Sequence, residues 1–182
     1  MLLQQLINGL TLGAIYSLIA LGYTLVYGIL MLINFAHAEV LMVGAFVGLG
    51  VQLFFPPSLT SGPLGLLLVF ALSMAAAGIL NVLVERLAYR PLRNISRLAP
   101  LISAIGVSII LQNAVFLWVS NQSQNFPVIM EMRSFRLAGA DISSLQIVIL
   151  FTALGLMAAL HFFIRKTKMG KAMRACADDM EA

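Results

Sequence analysis

An all-α fold, a polytopic bundle of transmembrane helices, is predicted by three observations. Hydrophobic residues make up 61% of the 182 residues and charged residues only 10%. Mean hydropathy is +1.00, far above that of soluble globular domains. Apolar runs long enough to cross a bilayer, about 20 residues each, recur along the chain. They predict five crossings, at about residues 6–30, 37–55, 64–87, 99–119 and 143–164. With so little polar sequence between them, the whole of 1–182 reads as one membrane domain.

The first run follows MLLQQLINGL, which lacks the basic start of a cleavable signal and continues past the length of a signal core, so it is predicted to stay as a helix. The second follows a polar interruption, the third follows the Pro56-Pro57 turn, and the fourth and fifth are separated by residues 120–142. Lys and Arg cluster at Arg86, Arg90, Arg93 and Arg97, and again at Arg165, Lys166, Lys168, Lys171 and Arg174. By the positive-inside rule both clusters are cytoplasmic. Two crossings lie between them, so 120–142, with its balanced Glu131, Arg133, Arg136 and Asp141, is external. Counting back places the N-terminus outside as well. The net charge of +4 is thus explained by membrane orientation, and nucleic acid is not an expected partner. The lone cysteine, Cys176, excludes an internal disulfide and a multi-cysteine metal cluster.

The densest polar chemistry near the membrane lies in MLINFAHAEVLMVG, residues 31–44, where Asn34, His37 and Glu39 stand among apolar neighbours. This segment is expected to break the helix. A carboxylate at mid-span costs roughly 2.5–3.5 kcal/mol on insertion scales, so Glu39 belongs in a bundle interior, a cavity or near an interface. Two readings of Asn34, His37 and Glu39 stay open. They line a translocation path, or they cap two helix ends and anchor a turn. His37 and Glu39 are too few for a metal site. Small residues at four-residue spacing, Gly9, Gly13 and Ser17 and then Gly44 and Gly48, predict close helix packing. Gln112 and Asn113 are expected to act as hydrogen-bonding glue between helices.

No GxxxxGK[ST] loop is present to cradle phosphates, and no HExxH or GxSxG motif. An intramembrane enzyme would have only His37 and Glu39 for acid–base work and no evident nucleophile. A passive channel is a further alternative, although neither charged rings nor a carbonyl-filter sequence occurs. The closing stretch TKMGKAMRACADDMEA, residues 167–182, is a short basic-then-acidic cytoplasmic segment placed directly after a span. It suits a grip for a soluble partner. Its abrupt end predicts that further helices are missing at the C-terminus.

Four motifs in one order resemble the permease subunits of bacterial branched-chain amino acid ABC transporters, with urea permeases as near relatives. They are NGLTLGAIYSLIALGYTLVYGILMLINFAHAEVLMVGAF (8–46), VERLAYRPLR (84–93), LISAIGVSIILQN (101–113) and TKMGKAMRACADDMEA. Ala38 departs from the pattern, which usually has glycine after the histidine. The resemblance implies a multi-pass protein of the bacterial inner membrane and an importer for Leu, Ile or Val, with urea or other amino acids as the alternative cargo. Implied partners are a second permease subunit, two cytoplasmic ATPases, a periplasmic substrate-binding protein and the lipid bilayer. ATP and Mg would sit on the ATPases, leaving this chain without cofactor, metal or catalytic residue. Residues 165–182 would begin the coupling loop, with Gly170, Arg174, Ala175, Asp178 and Glu181 as candidates for seating it in an ATPase groove.

Overall fold

The computed structural model describes residues 2–30, 33–92, 95, 98–120, 122–127, 133–137 and 139–178. Seven α-helices account for most of them, and five are long and apolar enough to cross a membrane. The expected spans are therefore present, within a few residues of their predicted ends. Contacts divide the chain into two compact units: residues 1–31 with 132–182, and residues 32–131.

The first unit holds α1 (Leu2–Leu30), a hairpin of β1 (Ser134–Leu137) and β2 (Ala140–Ser143), α6 (Ser144–Lys166) and α7 (Lys168–Asp178). At 29 residues and 1.5 Å per residue, α1 is roughly 43 Å long and exceeds the ~30 Å hydrocarbon core. The antiparallel hairpin, with Phe135 opposite Ile142 and Arg136 opposite Asp141, was not expected from the sequence. Its short strands lie in the stretch read as an external loop, apart from Ser143, which was read as the start of the fifth span. Ser143 ends β2 and starts α6 through a capping box. Its Oγ accepts the Leu145 amide at 3.2 Å, and its own amide donates to Gln146 Oε1 at 3.0 Å.

Polar side chains fasten the start of α1 to this hairpin. Gln4 uses both ends of its amide on the Asp141 backbone, accepting the N–H at 2.7 Å and donating to the carbonyl at 3.0 Å. Asn8 Oδ1 accepts from Gln146 Nε2 at 2.8 Å. The first turns of α1 and α6 therefore lie together, and the two helices run in the same direction.

The second unit holds α2 (His37–Phe54), the single turn α3 (Pro57–Thr60), α4 (Gly62–Val84) and α5 (Ala99–Trp118). Beyond Val84 the helix continues without stopping, widening to a π turn at Glu85–Tyr89 and tightening to a 3₁₀ turn at Arg90–Leu92. Pro91 has no amide hydrogen and cannot extend a regular ladder, which accounts for the irregular exit.

The pair α2 and α4 forms the most intimate contact of this unit, and glycine sets it. A Cβ at Gly48 would stand 2.8 Å from Ser73 Oγ and 3.4 Å from Val69 Cγ1, and one at Gly44 would stand 3.4 Å from the Ala77 Cβ. With no side chain at either position, two backbones approach where lipid-like apolar side chains would hold them apart. The predicted packing role holds for this pair. For Gly9 and Gly13 no described atom lies within 4 Å of such a Cβ, so those positions form no contact of this kind among the described residues. Asn113 also departs from expectation. Its Nδ2 donates to the Ile109 carbonyl of its own helix at 2.8 Å, and no bond from it to another helix is made among the described residues.

Replacing Gly48 by valine is expected to overpack the crossing and cost about 1–3 kcal/mol, read as a lower melting temperature in detergent. Gly50→Ala, at a position with open space, is the control and should leave the melting temperature unchanged.

Candidate functional site

Two constructions carry the polar chemistry singled out in the sequence, one in each unit. In the second unit the chain turns into α2 at Asn34, which is only 6% exposed. Its side-chain Oδ1 accepts the Ala36 amide at 3.1 Å, and its backbone carbonyl accepts the His37 amide at 3.2 Å. These bonds wind the turn before the helix ladder begins with Val40 donating to Ala36 at 3.0 Å. Asparagine suits this position because its short amide reaches its own backbone two residues on.

The same Oδ1 accepts a second bond, 2.7 Å long, from the Tyr89 hydroxyl. Tyr89 closes the π turn, where one extra residue per turn rotates the side chains relative to an α-helix. A further bond, Ser103 Oγ to the Ala88 carbonyl at 3.1 Å, fastens α5 to that segment. The start of α2, the end of α4 and the start of α5 are thereby held together by polar groups at one end of the unit.

Glu39 stands in the first turn of α2, the third helical residue after Ala36. A glutamate there ordinarily reaches back to the cap amide, but Asn34 Oδ1 already holds the Ala36 N–H. One carboxylate oxygen, Oε2, is buried with no hydrogen-bond partner. Of the three predicted residues, Asn34 is a turn anchor, His37 opens α2 with its amide bonded to Asn34, and Glu39 is left with bonding capacity to spare. The residue that sequence reading missed is Tyr89. VERLAYRPLR marked the segment, but nothing local signals a partner 55 positions away.

In the first unit α6 gives way to α7 through one extended residue, Thr167, at φ −90° and ψ 158°. Its hydroxyl donates to the Phe163 carbonyl at 2.6 Å and accepts the Gly170 amide at 3.0 Å. One side chain thus satisfies the last turn of α6 and the first turn of α7. Gly170 is buried at this elbow, where any Cβ would run into the backbone carbonyls of Phe163 and Ile164. Its hydrogen side chain lets α7 fold back against the end of α6.

Arg174 and Ala175 are exposed on α7, as are Lys168, Met169, Lys171, Ala172 and Cys176. Met173 and Ala177, three and seven residues after Gly170, share its more sheltered face. Gly170 is therefore separated from Arg174 and Ala175: the first holds the helix in place, and the others face outward. Asp178 is the last residue of α7, and Glu181 lies outside the described residues. Among the described residues no three His, Cys, Asp or Glu side chains converge in a metal-binding group.

Five lipid-length helices, a polar turn clamped at one helix end and an amphipathic helix hinged to a span define a multi-pass α-helical membrane protein. Residues 5–182 match the family described as branched-chain amino acid transport system / permease component, and the chain belongs to it. It is 44% identical over 184 residues to the high-affinity branched-chain amino acid transport system permease protein BraD of Pseudomonas aeruginosa, covering 98% of this chain and 60% of that protein. The correspondingly described LivH of Escherichia coli K12 is 41% identical over 196 residues, with the same coverage. LivH of Salmonella typhimurium is 41% identical over 208 residues, again with the same coverage. The chain thus spans about 60% of the length of these curated relatives. No solved structure matches it.

Tyr89→Phe removes one hydrogen bond and is expected to cost about 1 kcal/mol. Asn34→Leu, which also strands the buried Ala36 amide, should cost roughly twice that. Thermal unfolding in detergent ranks the two, and equal melting temperatures would show that Asn34 does not organise the turn.

Proposed function

We propose that the chain is part of the membrane-spanning permease of a binding-protein-dependent ABC importer for branched-chain amino acids. The observation that carries this reading is the family match over 5–182 together with relatives described as high-affinity branched-chain amino acid permeases. In this reading 1–182 is a single permease domain in the bacterial inner membrane, it performs no catalysis, and ATP with Mg is used by two cytoplasmic ATPase subunits. A periplasmic binding protein delivers the cargo, and a second permease subunit completes the path. Urea is the alternative cargo among related permeases.

The helix α7 fits the coupling role. It lies at the end of α6, on the side carrying Arg165 and Lys166, which the positive-inside rule makes cytoplasmic. The opposite end of the same unit holds the start of α1 and the hairpin, in agreement with an external N-terminus. Hinged by Thr167 and seated by Gly170, α7 presents Arg174 and Ala175 outward to an ATPase groove, with Asp178 and Glu181 following. A helix that must transmit force needs a firm seat and a free face, and the elbow supplies both.

The test is ATP-dependent uptake of labelled leucine in proteoliposomes holding the full-length permease, its companion, the ATPases and external binding protein. Uptake abolished by omitting ATP or binding protein is expected. ATP hydrolysis stimulated by the binding protein without leucine uptake would keep the mechanism and move the cargo to urea, tested next, or to another amino acid. Replacing the exposed pair by Arg174→Glu with Ala175→Glu is expected to lower uptake by about tenfold or more, equivalent to ~1.4 kcal/mol, in a complex that still assembles. Uptake unchanged in that variant would overturn the coupling role of α7.

A further inference from the structure

The Glu39 carboxylate has no assigned task. It sits in the first turn of a membrane-spanning helix, one of its oxygens is buried and unpartnered, and its capping work is done by Asn34. An ionised carboxylate in such surroundings is costly to keep without a cation. Neither the turn nor the π segment lends it a hydrogen bond to Oε2: Asn34 is committed to the Ala36 amide and to Tyr89, and Tyr89 donates its one hydroxyl hydrogen to Asn34. What is left is a carboxylate oxygen with bonding capacity to spare, the kind of acceptor that a primary ammonium, with three donors and one charge, is suited to meet.

We propose that Glu39 forms a binding site for the ammonium group of the transported amino acid. The proposal rests on the reading of the chain as an amino-acid importer and deepens it by naming the part of the cargo this turn recognises. Glu39 lies at the Arg86 and Arg90 end of the second unit, so the site is the cytoplasmic end of the route, the last contact before release. In the conformation seen here Oε2 is buried, so the ammonium reaches it only when this turn opens. The consequence is chemical selectivity. Urea and 2-hydroxy acids carry no cation and gain nothing from the carboxylate, whereas any amino acid does, whatever its side chain.

The experiment is equilibrium binding of labelled leucine to the purified full transporter without binding protein, competed by leucinol, which keeps the ammonium, and by 2-hydroxy-4-methylpentanoate, which replaces it with a hydroxyl. Wild type is expected to bind leucine, with leucinol competing at least about tenfold better than the hydroxy acid, a difference of ~1.4 kcal/mol. Glu39→Gln should collapse that preference to within about twofold, with Glu39→Asp restoring part of it. A merely structural role would change how much protein folds but not the ratio of the two competitors. A preference unchanged in Glu39→Gln, or no leucine binding by a wild-type complex that imports leucine, overturns the site and leaves the importer reading standing. Absence of leucine uptake by the wild-type proteoliposomes overturns the importer reading, and the site falls with it.

Discussion

Every backbone amide and carbonyl within a hydrocarbon layer must be paired inside its own segment, because no water is there to serve it. Most of this chain obeys by forming uninterrupted helices. The structure is most informative where that solution fails, at the break before α2, at the π and 3₁₀ exit of α4 and at the elbow between α6 and α7. In each place a short polar side chain stands in for the missing helix bond. Asn34 takes the Ala36 amide, Ser103 takes the Ala88 carbonyl, and Thr167 serves Phe163 and Gly170.

These substitutions have a second effect, since each also ties one element to another. Asn34 satisfies its own turn and captures Tyr89, so the local repair becomes a clamp between α2 and α4. Thr167 does the same for α6 and α7. Polar groups are few in this chain, and van der Waals contact between small residues does the rest of the packing, as at Gly44 and Gly48. Without a hydrophobic driving force between helices in lipid, specificity has to come from such close approaches and from a few well-placed hydrogen bonds.

The same economy frames the functional reading. A carboxylate left with a buried, unpartnered oxygen is a costly exception among the buried side chains of the described residues. It stands at the turn that the polar clamp closes. The amphipathic α7, in contrast, is held on its Gly170 side, while Arg174 and Ala175 are exposed on the other, the arrangement that the proposed coupling role requires.

The sequence alone determined the five spans and the break near residues 31–44. Hydropathy acts over about 20 neighbouring residues, and Asn, Pro and Gly interrupt helices by chemistry confined to one turn. It also marked Asn34 and Glu39, because polar residues in an apolar run are conspicuous whatever they do. Only the tertiary structure decided what they do. Tyr89 reaches Asn34 across 55 positions, the Asn34 amide displaces Glu39 from the cap it would otherwise serve, and Gly170 proves to be an inward seat separated from the outward Arg174. The hairpin at Ser134–Leu137 and Ala140–Ser143 was likewise invisible, its strands being too short and mixed for periodicity to show. Pairings of this kind depend on which helix faces meet, and that is a property of the packed bundle.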